Sequence, residues 1–160
     1  MLKYLYAKEV FKEVPDEITL AIAISNCQIK CHGCNQKELW EDKGTTLDVY
    51  GLNKLINTHH GITCVCFMGS GNKEYAELNK LAKEVRSKGL KVAVYLGEDS
   101  IPTELNLKYY DFIKIGHWDL DKGGLNSPAT NQTMYHIKYL SDGTYWETNI
   151  NHLFLKNNED

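Results

Sequence analysis

The feature that most restricts this chain is the run ITLAIAIS at positions 18–25. A strand with one wet face alternates apolar and polar residues. This run is almost continuously apolar and rich in isoleucine, so it reads as a strand buried on both faces, the kind found inside parallel sheets. The segments that follow keep to the same grammar. A helix is expected from about Thr46 to Thr58, with Leu52, Leu55 and Ile56 on one face. ITCVCF, 62–67, reads as a second strand that ends at Gly69-Ser70-Gly71. Asn72 is placed to cap the next helix, in which Tyr75, Leu78, Ala82 and Val85 are spaced by three, four and three residues, and Gly89 closes it as a C′ glycine. KVAVYL, 91–96, reads as a third strand. FIKI, 112–115, reads as a fourth, after a short helix or irregular connection, and MYHIKYL, 134–140, as a last strand-like run. The tail KNNED is polar and expected to fray.

Strand and helix alternate with connections long enough for crossovers, which predicts an α/β fold with a mostly parallel sheet. With 160 residues, one domain over 1–160 is expected, large enough to bury a core. Ligands of such sheets bind outside the carboxyl ends of the strands. Two unusual loops fall on that edge: the segment SNCQIKCHGCNQ at 25–36 and the Gly69-Ser70-Gly71 turn.

The net charge is −3, from 18 basic and 21 acidic residues, and no basic stripe stands out, so no nucleic-acid partner is expected. No apolar run approaches the roughly 20 residues that span a bilayer, so no membrane association is expected. MLKYLYAKEVFKEV carries charges throughout, unlike a signal peptide, and a cytoplasmic location is expected. In that compartment clustered cysteines hold metal or do redox chemistry more often than they form disulfides, and an odd count of five argues the same way.

Cys27, Cys31 and Cys34 are separated by three residues and then two. Thiolates select zinc, iron–sulfur clusters or copper(I). A structural zinc site takes four protein ligands, one more than this loop's cysteines supply. His32 is adjacent to Cys31, which makes joint ligation awkward. Cys64 and Cys66 alternate along a predicted strand in an apolar sequence and read as core packing, since a buried free cysteine behaves as a small hydrophobe. An iron–sulfur cube has four irons, each usually held by one cysteine, so three cysteines leave one iron with an open position. An open position is where a substrate or cofactor binds.

This spacing, Cys27-x-x-x-Cys31-x-x-Cys34, resembles the signature of the radical S-adenosylmethionine enzymes. NCQIKCHGCNQKELW resembles the corresponding loop of the anaerobic ribonucleoside-triphosphate reductase activating proteins, with Gly33 before the third cysteine and Trp40 six residues after it. MGSGN, YLG at 95–97, DFIKIG at 111–116 and TNQTMYHI at 130–137 resemble family segments in the right order, so the similarity runs from about Thr19 to Ile137. The chain departs from the family pattern in three places. The second loop reads Gly69-Ser70-Gly71-Asn72, without the usual acidic residue at its end. Asn35-Gln36 replaces the frequent His-Asn or Tyr-Asn pair. EVPDEI stands where a glycine-rich segment usually precedes the first strand.

The resemblance implies a partial (βα) barrel and a 4Fe–4S cluster held by Cys27, Cys31 and Cys34. It implies that the fourth iron chelates the amino and carboxylate groups of S-adenosylmethionine, and that reduction yields methionine and a 5′-deoxyadenosyl radical. That radical takes a hydrogen atom from a glycine of the partner, the large catalytic subunit of an anaerobic ribonucleotide reductase. A flavodoxin or ferredoxin is the implied electron donor. Gly69, Ser70 and Gly71 would hydrogen-bond the methionine amino group, and backbone around Gly33, Cys34 and Asn35 would contact the adenine or the methionyl part. Two alternatives stand beside this: an activase of another glycyl-radical enzyme, and a non-enzymatic zinc or iron–sulfur module.

Other residues have plainer readings. His59-His60 suits the negative end of a helix. His117-Trp118 lies on the ligand rim and reads as surface loop. Trp40 packs the cysteine loop onto the domain. The face on which Lys114 lies is not fixed by the pattern, and Tyr145-Trp146 fits a partner surface and core packing equally well.

Overall fold

All six residues of the strand Thr19–Ile24 are buried, and the remaining elements are arranged around it. The computed structural model describes residues 1–34 and 36–155. In chain order the elements are β1 (Lys3–Val10), β2 (Thr19–Ile24), β3 (Thr45–Thr46), α1 (Val49–Thr58), β4 (Cys64–Met68), α2 (Tyr75–Ser87), β5 (Lys91–Tyr95), β6 (Phe112–Ile115), β7 (Thr133–Tyr139), β8 (Tyr145–Asn149) and a single helical turn, α3 (His152–Leu155). The strands form one open sheet in the order β3-β1-β2-β4-β5-β6-β7-β8.

The fold is α/β, as expected, but the sheet is mixed rather than mostly parallel. β2, β4, β5 and β6 run parallel at its centre, while β1, β3, β7 and β8 pair antiparallel on the flanks. Connection length explains the flanks. The link at 11–18 is shorter than the crossover of about a dozen residues that parallel neighbours need, so β1 folds back on β2. A tight turn at 140–144, closed by Gly143 N–H to Leu140 O, does the same for β7 and β8. The segment between β6 and β7 forms no crossover helix; it makes a loop bonded to itself, with Thr130 Oγ1 donating to Gly123 O.

β1 and β8 have no counterpart in the sequence reading. β1 is half-buried along most of its length and mixes tyrosine with lysine and glutamate. β8 is exposed at every residue, so Trp146, 66% exposed, is not core packing. α1 begins at Val49, not Thr46: the Asp48 side chain caps it by accepting from Gly51 N–H at 2.8 Å, and Thr46 belongs to β3. Asn72 does not cap α2. Asn72 and Lys73 sit at φ +62° and +66° inside the turn, and α2 begins at Tyr75 after Glu74. The tail from 156 lies outside the described residues.

α1 and α2 cover one face of the sheet, where Leu52, Leu78 and Val85 pack on Leu20, Ile22 and Phe67. On the other face Cys64, Cys66, Ala93 and Phe112 lie under Val14, Leu125 and Phe154. The link at 11–18 crosses this face; Val14 is fully buried and the Tyr95 hydroxyl donates to Glu13 O. Among the described residues no helix is long and apolar enough to cross a membrane.

Cys64 and Cys66 are fully buried here, and burial pushes the Cys64 thiol up to about 12 and the Cys66 thiol well above the ordinary range. They fill space as protonated thiols. Cys66→Ser places a hydroxyl in that apolar layer without a new partner and is expected to lower stability by about 1–3 kcal/mol, with Cys66→Ala milder. Denaturant unfolding of the purified variants checks this, and a serine variant as stable as the parent would contradict it.

Candidate metal and cofactor site

The cysteine loop begins where β2 ends. Ser25 N–H still bonds Lys3 O of β1, and Asn26, at φ +66°, then turns the chain out of the sheet. The base of the loop is closed by Asn26 N–H to Glu41 O at 3.0 Å and Cys27 N–H to Leu39 O at 2.9 Å. Leu39, in a 3-10 turn at Lys37–Trp40, is the buried anchor; Trp40 itself is only half-buried. Cys34 N–H bonds Cys31 O at 3.2 Å, and the Cys34 sulfur accepts from Gln36 N–H at 3.4 Å. Asn35 lies outside the described residues.

The loop is seated on the ends of the neighbouring strands. A Cβ at Gly97, just past β5, would come within 2.5 Å of Ile29, so the absence of a side chain there lets the loop lie against the sheet. Past β6, Trp118 N–H donates to the Cys31 sulfur at 3.2 Å. Gly33 packs toward Leu120 in the same segment. A cavity of about 550 Å³ opens here, lined by Cys31, His32, His117, Trp118 and Leu120 among others. Thus His117-Trp118 is part of the wall of this cavity. His117 Nδ1 lies 2.7 Å from Asp99 Oδ1, which also accepts His117 N–H, and these bonds hold the Asp99 carboxyl below its ordinary range.

Cys27, Cys31 and Cys34 are free thiols, all half-buried. Burial pushes the Cys31 thiol up, opposed by the Trp118 N–H and reinforced by charge on Cys27 and Cys34. Among the described residues no three His, Cys, Asp or Glu side chains form a group that could hold a metal ion. A multi-iron cluster takes one thiolate per iron, so its ligands surround a body rather than a point.

The second loop lies alongside. Gly69 N–H bonds Tyr95 O at 2.8 Å, and a Cβ at Gly69 would sit 3.3 Å from Ile24, the last residue of β2. Gly71 (φ +58°) leaves even less room, with Leu2 2.3 Å from where a Cβ would stand. The Ser70 hydroxyl donates to Glu98 Oε1 at 3.3 Å and the Tyr75 hydroxyl to the same oxygen at 2.6 Å. Glu98 was not singled out in the sequence; the only available signal was an acid directly after Tyr95-Leu96-Gly97. Lys114, whose face the pattern left open, lies on the side away from α1 and α2, its Nζ 4.5 Å above the Tyr95 ring. Burial there lowers its ammonium's proton affinity.

Among the described residues, Glu98 Oε2, Trp118 Nε1, Asn131 Oδ1 and, at the end of the cysteine loop, Trp40 Nε1 are buried without a hydrogen-bond partner. Buried polar groups are nearly always paired, which sets these atoms apart from the rest of the rim. The thiol loop, the tightly packed glycine turn and these atoms all lie at the carboxyl ends of the parallel strands.

The two sets of thiols differ in access, which iodoacetamide labelling of the metal-free protein reads out. Cys27, Cys31 and Cys34 are expected to label in the folded state, and Cys31, with its raised pKa, to label faster as pH rises past the usual thiol range. Cys64 and Cys66 are expected to label only after unfolding; peptide mass spectrometry assigns each site. Compared with family models, with curated proteins and with solved structures, the chain matches none.

Proposed function

We propose that this chain is a radical S-adenosylmethionine activating enzyme acting on a glycyl-radical protein, the large catalytic subunit of an anaerobic ribonucleotide reductase. The observation that carries the reading is the three-cysteine loop leaving the carboxyl end of the most buried strand, with its Cys31 sulfur bonded by Trp118 N–H across the rim. Cys27, Cys31 and Cys34 would hold a 4Fe–4S cluster. When bound, the cluster and S-adenosylmethionine supply reductive carbon–sulfur cleavage and the hydrogen-abstracting power that follows from it.

The chain's own residues position and shield. Trp118 N–H places a donor on one ligand sulfur, and hydrogen bonds to ligand sulfurs tune a cluster's potential. Gly69 and Gly71 let the turn pack tightly on Ile24 and Leu2, which fixes its backbone beside the cysteine loop. The open sheet fits a partial barrel, whose unclosed side suits a large protein substrate that presents a loop. An electron donor of the flavodoxin or ferredoxin kind, and a cytoplasmic setting, complete the proposal.

The test is anaerobic. The protein is reconstituted with iron and sulfide, reduced, given S-adenosylmethionine and assayed for 5′-deoxyadenosine beside Cys31→Ala. The expected result is product from the parent and none above background from the variant. A preparation that holds only zinc, with four protein ligands, would overturn the reading. With product in hand, the candidate reductase subunit is added, and a glycyl radical seen by electron paramagnetic resonance identifies the partner.

A further inference from the structure

Two consecutive peptide groups past β6 are held at both ends. In the first, Gln132 Nε2 donates to Gly116 O at 3.3 Å, and His117 N–H donates to Asp99 Oδ1 at 3.1 Å. In the second, Asn131 Nδ2 donates to His117 O at 3.0 Å, and Trp118 N–H donates to the Cys31 sulfur at 3.2 Å. The His117 carbonyl and the Trp118 N–H belong to one planar unit, so fixing one end fixes the direction of the other. Asn131 therefore grips the far end of the same group that touches the cysteine loop. A bond to the carbonyl also polarises the unit and strengthens its N–H as a donor.

Close packing puts Asn131 in reach. A Cβ at Gly116 would come 2.8 Å from Gln132 Cα and 3.0 Å from Asn131 O, so the missing side chain lets the two segments lie side by side. Asn131 Oδ1 is buried and has no hydrogen-bond partner, which is costly. The amide leaves its acceptor unpaired and makes its bond through Nδ2, to the His117 carbonyl.

We propose that Asn131 is a positioning residue for the cysteine loop: by holding the His117 carbonyl it aims the Trp118 N–H at the Cys31 sulfur and so raises the reduction potential of an iron–sulfur cluster bound there. Reduction by one electron adds negative charge that the ligand sulfurs share, and an N–H donor stabilises that charge. This inference rests on the function proposed above, and the experiment separates the two.

The parent, Asn131→Ala and Thr130→Val are reconstituted anaerobically with iron and sulfide. Each is titrated over a range of potentials, with the reduced cluster read by electron paramagnetic resonance. At the parent's midpoint, the ratio of reduced to oxidised cluster in Asn131→Ala is expected to fall about 2- to 10-fold, the range for one net hydrogen bond. Thr130→Val removes a bond of the same loop, to Gly123 O, and leaves the Asn131 amide in place. It is expected to titrate with the parent, whereas a general loosening of the loop would shift both variants. Iron and sulfide contents are expected to match in all three. An unshifted Asn131→Ala, or an equal shift in both variants, overturns the role of Asn131 and leaves the function standing. If Asn131→Ala holds no cluster, a second measurement decides. Trp40→Phe protein labelled with nitrogen-15 tryptophan keeps label only at Trp118 and at Trp146, on the sheet's outermost strand. Its reduced cluster is expected to show a coupled nitrogen-15 by pulsed electron paramagnetic resonance, and no coupling overturns the proposal. A parent that assembles no iron–sulfur cluster overturns both.

Discussion

The double burial of β2 is the constraint on which the rest of the molecule depends. Six consecutive buried residues need cover on both faces; α1 with α2 cover the face that carries Leu20, Ile22 and Ile24, while on the opposite face Val14, Leu125 and Phe154 pack with Cys64, Cys66 and Ala93 of the neighbouring strands. The parallel partners then fall into step. Ala23 is level with Met68, Met68 with Tyr95, and Tyr95 with Lys114. The four strands therefore stop within one residue of the same height. The residues that follow those ends, the cysteine loop, Gly69-Ser70-Gly71, Glu98 and His117-Trp118, meet on one rim although they are scattered over the chain. The alignment of the rim follows from packing, and the chemistry of the rim from what each strand is followed by.

The four central strands were legible because their side chains carry the signal. Runs such as LAIAI and CVCFM are apolar on both faces, and nothing but a covered strand satisfies them. β1 and β8 carry no such signal. β1 is strand because its backbone pairs with β2, Ala7 opposite Ile22, and its charged side chains only tolerate that pairing. β8 is held by the ladder to β7 and by Tyr145 stacked on Tyr139, which no periodicity announces. Asn72 has the side chain of a helix cap but the backbone of a left-handed turn, and asparagine is suited to both. Within the site, the cysteine loop and the glycine turn were readable as local patterns. Glu98 was not, because it meets Ser70 across 28 residues and only the β4–β5 pairing brings them together.

The rim and the sheet face below it treat charge differently. At the rim, Asp99 with His117 and Glu98 with its hydroxyl donors hold carboxylates by hydrogen bonds at the surface or just beneath it. Below, burial disfavours every charged form: it raises the thiols of Cys64 and Cys66 and lowers the ammonium of Lys114. Polar chemistry is thereby confined to the ends of the strands, and the layer between them stays a packing surface.

The two margins of the sheet are unequal. On one side the outermost strand, β3, is two residues long; on the other, β8 runs five residues, all exposed, with Trp146 among them. A margin of two residues gives another chain almost no template for backbone pairing, whereas a longer strand does. Because β3 covers only Lys3 and Tyr4, the rest of β1 is an edge as well, so lateral growth of this sheet, whether by self-association or by an added peptide, has two unlike templates: the charge-bearing, half-buried β1 and the fully exposed β8.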